Sequence, residues 1–319
     1  PLRRVLLEES AVDLIETYTY PVFEGVSVDV AVTVLERGAP DPEHKVSVSE
    51  ATSPGKRVAR TQIPQRLWAK EERAVMDLSG DVHTRTILAE IDAASIPMGE
   101  VAGAYFGLQT HDRDTFVADE SRGPRWVPCI DGGNINRYYA APPEQWVHIT
   151  DEAIKSGGDM SVHGRDRIGV RQIGRRPIAA LVPGGWVTLN TIYNVYVTAD
   201  EALYDRRYLL AVMSSSLVGW YWAKRFSDHK RSFPKVKKAA LLGIPIPPLD
   251  AQDARSLAHR DAILAAVDEA LAAREALATT DDPEVYDALF GRAKQAEASI
   301  DMLVLDAFQA SDEVRAALE

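Results

Sequence analysis

Three prolines within four residues, in the run Ile244-Pro245-Ile246-Pro247-Pro248, divide this chain into two regimes. Each proline lacks an amide hydrogen, and its ring drives the preceding residue toward extended geometry, so no helix crosses this point. Downstream, Leu257, Ile263, Leu264, Val267, Leu271 and Leu277 form an apolar stripe that predicts a helix over 251–277. Asp282-Pro283 then offers an N-cap and a first-turn proline for a second helix, with Ile300, Leu303, Val304 and Phe308 on one face. Two helices joined by a polar turn predict a helical hairpin within 250–319.

Upstream, over 96–249, short β-rich runs dominate, such as Trp146-Val-His-Ile, Ile168-Gly-Val-Arg-Gln-Ile, Ile178-Ala-Ala-Leu-Val and Tyr193-Asn-Val-Tyr-Val. Gly and Pro punctuate them, and Gly184-Gly185 predicts a hairpin turn. Asp205 to Phe226 predicts one continuous helix with Leu209, Leu210, Val212, Met213, Leu217, Trp220 and Tyr221 mostly on one face. Residues 1–38 predict a helix at Leu2–Glu9, a strand at Val12–Glu16 and a strand at Val26–Glu36, closed by Gly38-Ala-Pro-Asp-Pro. That is too little for a domain and is expected to be the end of a larger sheet. Residues 39–95 are expected to connect it to the rest, with a short strand at Val46 and helices at Arg66–Val75 and Thr86–Ala93. The expected class is α+β: a terminal sheet remnant at 1–38, a connecting segment at 39–95, a β-rich domain at 96–249 and a helical segment at 250–319.

The 319 residues suffice for two domains. The chain opens on Pro1 without Met, inside a predicted helix, and is expected to be a piece of a longer protein. No apolar run reaches about 18 residues, so no membrane span is expected. The single cysteine, Cys129, excludes an intrachain disulfide framework and a cysteine-rich zinc site, which fits a cytoplasmic location.

A net charge of −11 argues against a nucleic-acid partner only as an average. Residues 250–319 hold 16 Asp and Glu against 6 Lys and Arg, which accounts for nearly all of the excess. Elsewhere, 224–238 carries seven basic residues against Asp228, and 165–176 carries five arginines against Asp166. Basic faces and an acidic tail therefore coexist.

Several segments then carry a resemblance. Phe23-Glu-Gly-Val-Ser-Val-Asp-Val-Ala-Val-Thr-Val-Leu-Glu resembles the closing strands of the catalytic domain of N6-adenine DNA methyltransferases. Val101-Ala-Gly-Ala-Tyr-Phe-Gly-Leu-Gln-Thr, Trp126-Val-Pro-Cys-Ile-Asp-Gly-Gly-Asn-Ile-Asn-Arg-Tyr, Arg171-Gln-Ile-Gly-Arg-Arg-Pro-Ile-Ala-Ala-Leu, Thr188-Leu-Asn-Thr-Ile-Tyr-Asn, Tyr208-Leu-Leu-Ala-Val-Met-Ser-Ser and Phe233-Pro-Lys-Val-Lys follow in order. With Ala298-Ser-Ile-Asp-Met-Leu-Val, they resemble the TaqI-like C-terminal specificity domain of such methyltransferases and of combined restriction–modification enzymes. The resemblance implies a module that reads duplex DNA, attached to a methyltransferase domain that flips an adenine and methylates its amino group with S-adenosylmethionine. The Ala-rich acidic tail departs from the family's often Lys-rich end. This chain also has no F-x-G-x-G turn and no [DNS]-P-P-[YFW] tetrapeptide; Ala141-Pro142-Pro143-Glu144 lacks both the polar and the aromatic end. No catalytic residue and no cofactor site is therefore expected within it.

For the DNA contacts, Gln109, Thr110, Arg165, Arg167, Arg171, Gln172 and Arg175 offer the donors and acceptors that base edges require. Lys224, Arg225, Lys230, Arg231 and Lys235 offer charge for phosphates. Each has a plainer alternative: a basic run is commonly a solvated face, and Thr188–Asn194 is expected to be structural, with a buried Asn satisfied by turn amides. His111, Asp112 and Asp114 are expected to form a polar loop rather than a metal site, and Trp220, Tyr221 and Trp222 to be core. A second function class stays open, a specificity-subunit-like module whose helices dock a separate methylase chain.

Overall fold

Alternating burial along one strand organises the first part of the chain in the computed structural model, which describes residues 2–26, 28–69, 74, 76–78, 81–226 and 234–318. Helix α1 (Leu2–Glu9) ends where the Ser10 hydroxyl donates to the Leu6 carbonyl at 2.6 Å. Strands β1 (Ser10–Tyr18), β2 (Ala31–Arg37), β3 (Lys45–Ser53) and β4 (Lys56–Pro64) follow, then a short helix α2 (Arg66–Ala69). They form one sheet in the order β2-β1-β3-β4, with β1 and β3 parallel. Leu7, Val12, Ile15, Val46, Val48, Ile63 and Trp68 make its core. Buried Gln65 locks it: its amide donates to the carbonyls of Leu7 and Ser10 and accepts from the Val12 amide at 2.8 Å. Two expectations are corrected. The strand expected over 26–36 begins its pairing only at Ala31, and residues 45–64, expected to connect, supply two strands that complete the sheet because Val46, Val48 and Ile63 bury their side chains in it. Strand β2 is exposed along its whole length, and Val32, Val34 and Leu35 face solvent.

The chain divides at Arg85–Thr86 into two compact units. The division falls within α3 (Val82–Ala93), after which come β5 (Ile96–Pro97), β6 (Ala102–Phe106) and β7 (Gln109–Thr110). Next are α4 (Arg113–Phe116), β8 (Val117–Ala118), β9 (Trp126–Ile130), β10 (Ile135–Asn136), β11 (Tyr139–Ala140), β12 (Gln145–His148) and β13 (Ile154–Ser156). Then α5 (Met160–His163), β14 (Arg167–Arg171), β15 (Ala179–Val182), β16 (Val187–Thr188) and β17 (Ile192–Val197) precede α6 (Arg206–Ser214), α7 (Ser216–Arg225), α8 (Lys238–Leu242) and β18 (Pro245–Ile246). The unit ends with α9 (Ala254–Thr279), α10 (Pro283–Ala307) and α11 (Asp312–Ala316).

Strands β15-β14-β17-β6 form a central antiparallel sheet, and β16-β9-β12-β8 form a second sheet. Ile168, Val170 and Val195 of the central sheet share one core with Tyr208, Leu209 and Val212 of α6, and with Ile263, Val267, Ile300 and Val304 of the α9–α10 hairpin. The fold is thus mixed α+β with a C-terminal helical hairpin. The proline run leaves the domain extended, with Pro245 opposite Pro97 in the β18–β5 pair.

Two details depart from the sequence-based expectation. The helix expected over 205–226 breaks at Ser215, whose hydroxyl accepts from the Val218 amide, while the Asp301 carboxylate accepts from the Ser216 amide at 2.7 Å. The Ser215 side chain competes with the helical ladder, donating to the Val212 carbonyl and accepting from the Val218 amide, which apolar periodicity does not register. Gly184-Gly185 makes a turn but no hairpin, because it carries the chain from one sheet to the other; Gly185 has φ +91°, and a side chain at Gly184 would collide with the Gly164 carbonyl oxygen. No helix among the described residues is long and apolar enough to cross a membrane.

Candidate nucleic-acid interface

At one end of the central sheet three chain segments leave β6, β14 and β17 together. Arg171 lies opposite Ile192 in the β14–β17 ladder, and the Gly107 amide donates to the Ile192 carbonyl at 2.9 Å from the other side. Gly107 is needed there, because a Cβ would overlap the Leu189 carbonyl. Leu108 bridges Leu189 in parallel, and the Gln172 amide donates to the Thr191 carbonyl at 2.8 Å. The Val236 amide then donates to the Gln172 carbonyl, the Gly174 amide donates to the Pro234 carbonyl, and Ile173 pairs with Lys235 in an antiparallel bridge. Backbone hydrogen bonds therefore join 107–110, 188–192, 171–175 and 234–236 into one edge.

This edge presents Gln109, Thr110, Arg171, Gln172, Arg175 and Lys235. Arg175 and Lys235 are exposed, and the other four are half-buried. Gln109 shares a 3.5 Å contact with the Ser156 hydroxyl. The side chains of Arg171, Gln172, Arg175 and Lys235 form no hydrogen bond or ion pair among the described residues, and those of Arg175 and Lys235 are exposed.

The other predicted contacts lie elsewhere. Arg165 lies in the turn before β14, and its guanidinium lies 5.1 Å from the Tyr196 ring centroid. Arg167 is a correction. It is fully buried, and it donates to Asn194 Oδ1 at 2.6 Å and to the carbonyls of His163, Arg165, Pro183 and Trp186. Every guanidinium nitrogen is used by the protein, so none is left for a base. Burial lowers its pKa to about 10, still far above neutrality. Asn194 is structural as expected, but it is held by Arg167 and by the Thr188 hydroxyl at 2.8 Å, not by turn amides. Lys224 lies exposed on α7, 5.7 Å from the Trp220 ring centroid, and Arg225 pairs with Asp92 at 3.6 Å. Lys230 and Arg231 fall outside the described residues.

His163 is buried beside Arg167 and bonds the Gly157 carbonyl through Nε2 while Nδ1 receives the Thr188 amide. Burial lowers its pKa, and the two bonds require the neutral tautomer with the proton on Nε2. Asp112 caps α4, with the Thr115 hydroxyl holding its carboxyl below the usual range. Tyr221 and Trp222 are core residues. Cys129 is buried and its thiol is pushed up to about 12. Among the described residues no group of three His, Cys, Asp or Glu side chains could hold a metal ion.

Sequence reasoning gave Arg137, Arg176 and Ser214 no site role. All three sit inside the segments that carry the resemblance, but only the fold brings them around one cavity.

Residues 127–246 match the family described as the TaqI-like C-terminal specificity domain. No curated protein matches the chain by sequence. Among solved structures, the Type IIL restriction–modification enzyme MmeI, determined in complex with DNA, superposes with TM-score 0.54 at 11% identity, covering 97% of this chain and 46% of that one. The type IIG restriction endonuclease BpuSI gives TM-score 0.42 at 12% identity, over 95% of this chain and 45% of that one. The HsdS subunit from Thermoanaerobacter tengcongensis gives 0.36 at 12% identity, over 77% of this chain and 54% of its own. At 11% identity the likeness to MmeI is one of fold, and this chain spans less than half of that enzyme.

Proposed function

We propose, on the premise that this chain carries a TaqI-like specificity domain at 127–246, that it reads a short duplex DNA sequence on behalf of a restriction–modification enzyme. The observation that supports this most is the Ile173–Lys235 bridge, because it seats the arginine loop and the lysine segment on one edge. Lys235, and Lys224 on α7, would hold phosphates, which fixes register without carrying sequence. Gln109, Thr110, Gln172 and Arg175 would present donors and acceptors to base edges. MmeI, whose fold this chain shares, was solved with DNA bound, which is consistent with this assignment.

The parent enzyme, in this proposal, acts in the cytoplasm and methylates adenine at N6. S-adenosylmethionine would supply the methyl group in a methyltransferase domain outside this chain. The exposed strand β2 and the exposed side chains of Phe23, Val26 and Val28 supply the apolar surface such a domain would cover. The chain on its own binds DNA and transfers no methyl group.

Selection from a random duplex library tests the central part. The 319-residue chain should enrich one short motif, and Gln172→Ala should relax it at one position by about 1–3 kcal/mol of discrimination. Uniform recovery of all sequences by the parent chain would end the proposal. The docking alternative draws on α10, where Val285, Tyr286 and Phe290 are exposed and the two rings stack at 6.3 Å. A methylase subunit captured through this face, and lost with Tyr286→Lys and Phe290→Lys, would favour it.

A further inference from the structure

Where α6 breaks into α7, a cavity of about 180 Å³ opens between Asn136, Arg137, Arg171, Arg176, Met213, Ser214 and Ser215. We propose that this cavity seats a single phosphate group, and that in the complex with DNA the group is one phosphodiester of the backbone. The second statement rests on the DNA-reading proposal; the first does not.

Charge makes the case first. Arg137 donates to buried Glu297 at 2.5 Å and to the Ser214 carbonyl at 2.8 Å, and Arg274 donates to the other Glu297 oxygen at 2.8 Å. Asp301 stands 3.9 Å from Arg137 and also takes the Ser216 amide. These carboxylates neutralise Arg137 and Arg274. Arg171 and Arg176 line the same cavity and have no carboxylate within ion-pairing distance among the described residues. Two uncompensated guanidinium groups facing one small space favour an anion, and their planar forks suit phosphate oxygens.

The second argument is an unused donor. Ser214 lines the cavity and is only 6% exposed, yet its hydroxyl has no hydrogen-bond partner. The Nε of Arg137 is buried and unpartnered as well. The Tyr138 hydroxyl, likewise without a hydrogen bond elsewhere, is the neighbour with which Ser214 interacts. A buried polar group left without a partner is unfavourable, so the unpartnered Nε of Arg137 beside the Ser214 hydroxyl marks a place where a ligand supplies an acceptor. The first amides of α7 contribute little, since Ser215 and Asp301 already occupy them.

The chain also makes room for the arrangement. Arg176 lies over Gly219 of α7, where a Cβ would stand 3.3 Å from its Nη1. The absence of a side chain at 219 lets the guanidinium lie against the helix beside the cavity. Arg171, expected from sequence to read a base, is thereby a phosphate residue, and base reading falls to its neighbours Gln172 and Arg175.

Two measurements on the full chain separate the seat from the DNA-reading proposal. In the first, ³¹P NMR follows a titration with inorganic phosphate. Saturable binding should appear, and Arg176→Ala, at an exposed position that leaves the fold intact, should weaken it about tenfold, with a smaller loss in Ser214→Ala. Binding absent, or equal in Arg176→Ala, overturns the seat. In the second, duplexes carrying one neutral methylphosphonate at successive positions are bound by the parent chain and by Arg176→Ala. One position should weaken parent binding about tenfold and leave Arg176→Ala indifferent. Duplex binding with no position tied to Arg176 overturns the backbone assignment. Phosphate binding without any duplex binding upholds the seat and removes the DNA reading instead.

Discussion

Replacing Arg167 by methionine should unfold the second unit far more readily while leaving the proposed DNA-reading edge chemically unchanged. The side chain is fully buried in the turn between the two sheets. Its guanidinium donates at 2.6 Å to Asn194, 3.2 Å to His163, 3.0 Å to Arg165, 3.3 Å to Pro183 and 2.5 Å to Trp186. Methionine keeps the aliphatic stem and removes all five bonds. Asn194 retains the Thr188 hydroxyl and His163 retains the Gly185 amide, whereas the carbonyls of Arg165, Pro183 and Trp186 lose this donor. At about 1–3 kcal/mol for each unsatisfied buried group, and with water entering part of the space, the loss comes to about 3–5 kcal/mol. With a urea dependence of about 2–3 kcal/mol per molar, the midpoint should fall by about 1.5 M. Tryptophan fluorescence follows the transition. Lysine should not rescue the protein, because a compact ammonium cannot span five acceptors. An unshifted midpoint together with lost duplex binding would refute the structural role and return Arg167 to the DNA contacts.

Other consequences are independent of DNA. Glu297→Ala leaves Arg137 and Arg274 facing each other without their shared carboxylate and should cost about 3–5 kcal/mol in a urea titration. Gln65→Leu removes three buried hydrogen bonds that tie β1 and α1 to the end of β4, and should lower the melting temperature of the first unit. The lowered pKa of His163 gives a pH test: the folded state holds it neutral while the unfolded chain takes up a proton near 6.5, so stability is present above that value and is lost as pH falls below it. His163→Gln should flatten that acid limb; an equal slope in both proteins would assign it to other groups.

The proline run and the two long stripes were enough to place the extended exit and the helical hairpin, because they are local properties of the backbone. The break at Ser215 was not legible from periodicity, since Leu209 to Tyr221 keep helical spacing across it; the serine triplet was the available signal. Arg167 shows why composition misassigns a site. An arginine in a basic stretch looks solvent-seeking, and only the path of the turns at 163–166 and 183–186 reveals that it fills their hydrogen-bonding needs. Lys235 and Ile173 are 62 positions apart, so their pairing follows from tertiary structure alone, although both segments stood out by charge.

Salt dependence of duplex binding probes that paired edge most directly. The logarithm of the binding constant should fall linearly with the logarithm of salt concentration, and Lys235→Ala should make the slope shallower by about one while weakening all duplexes alike. A slope near zero, or one that Lys235→Ala leaves untouched, would contradict the placement of the DNA backbone along this edge.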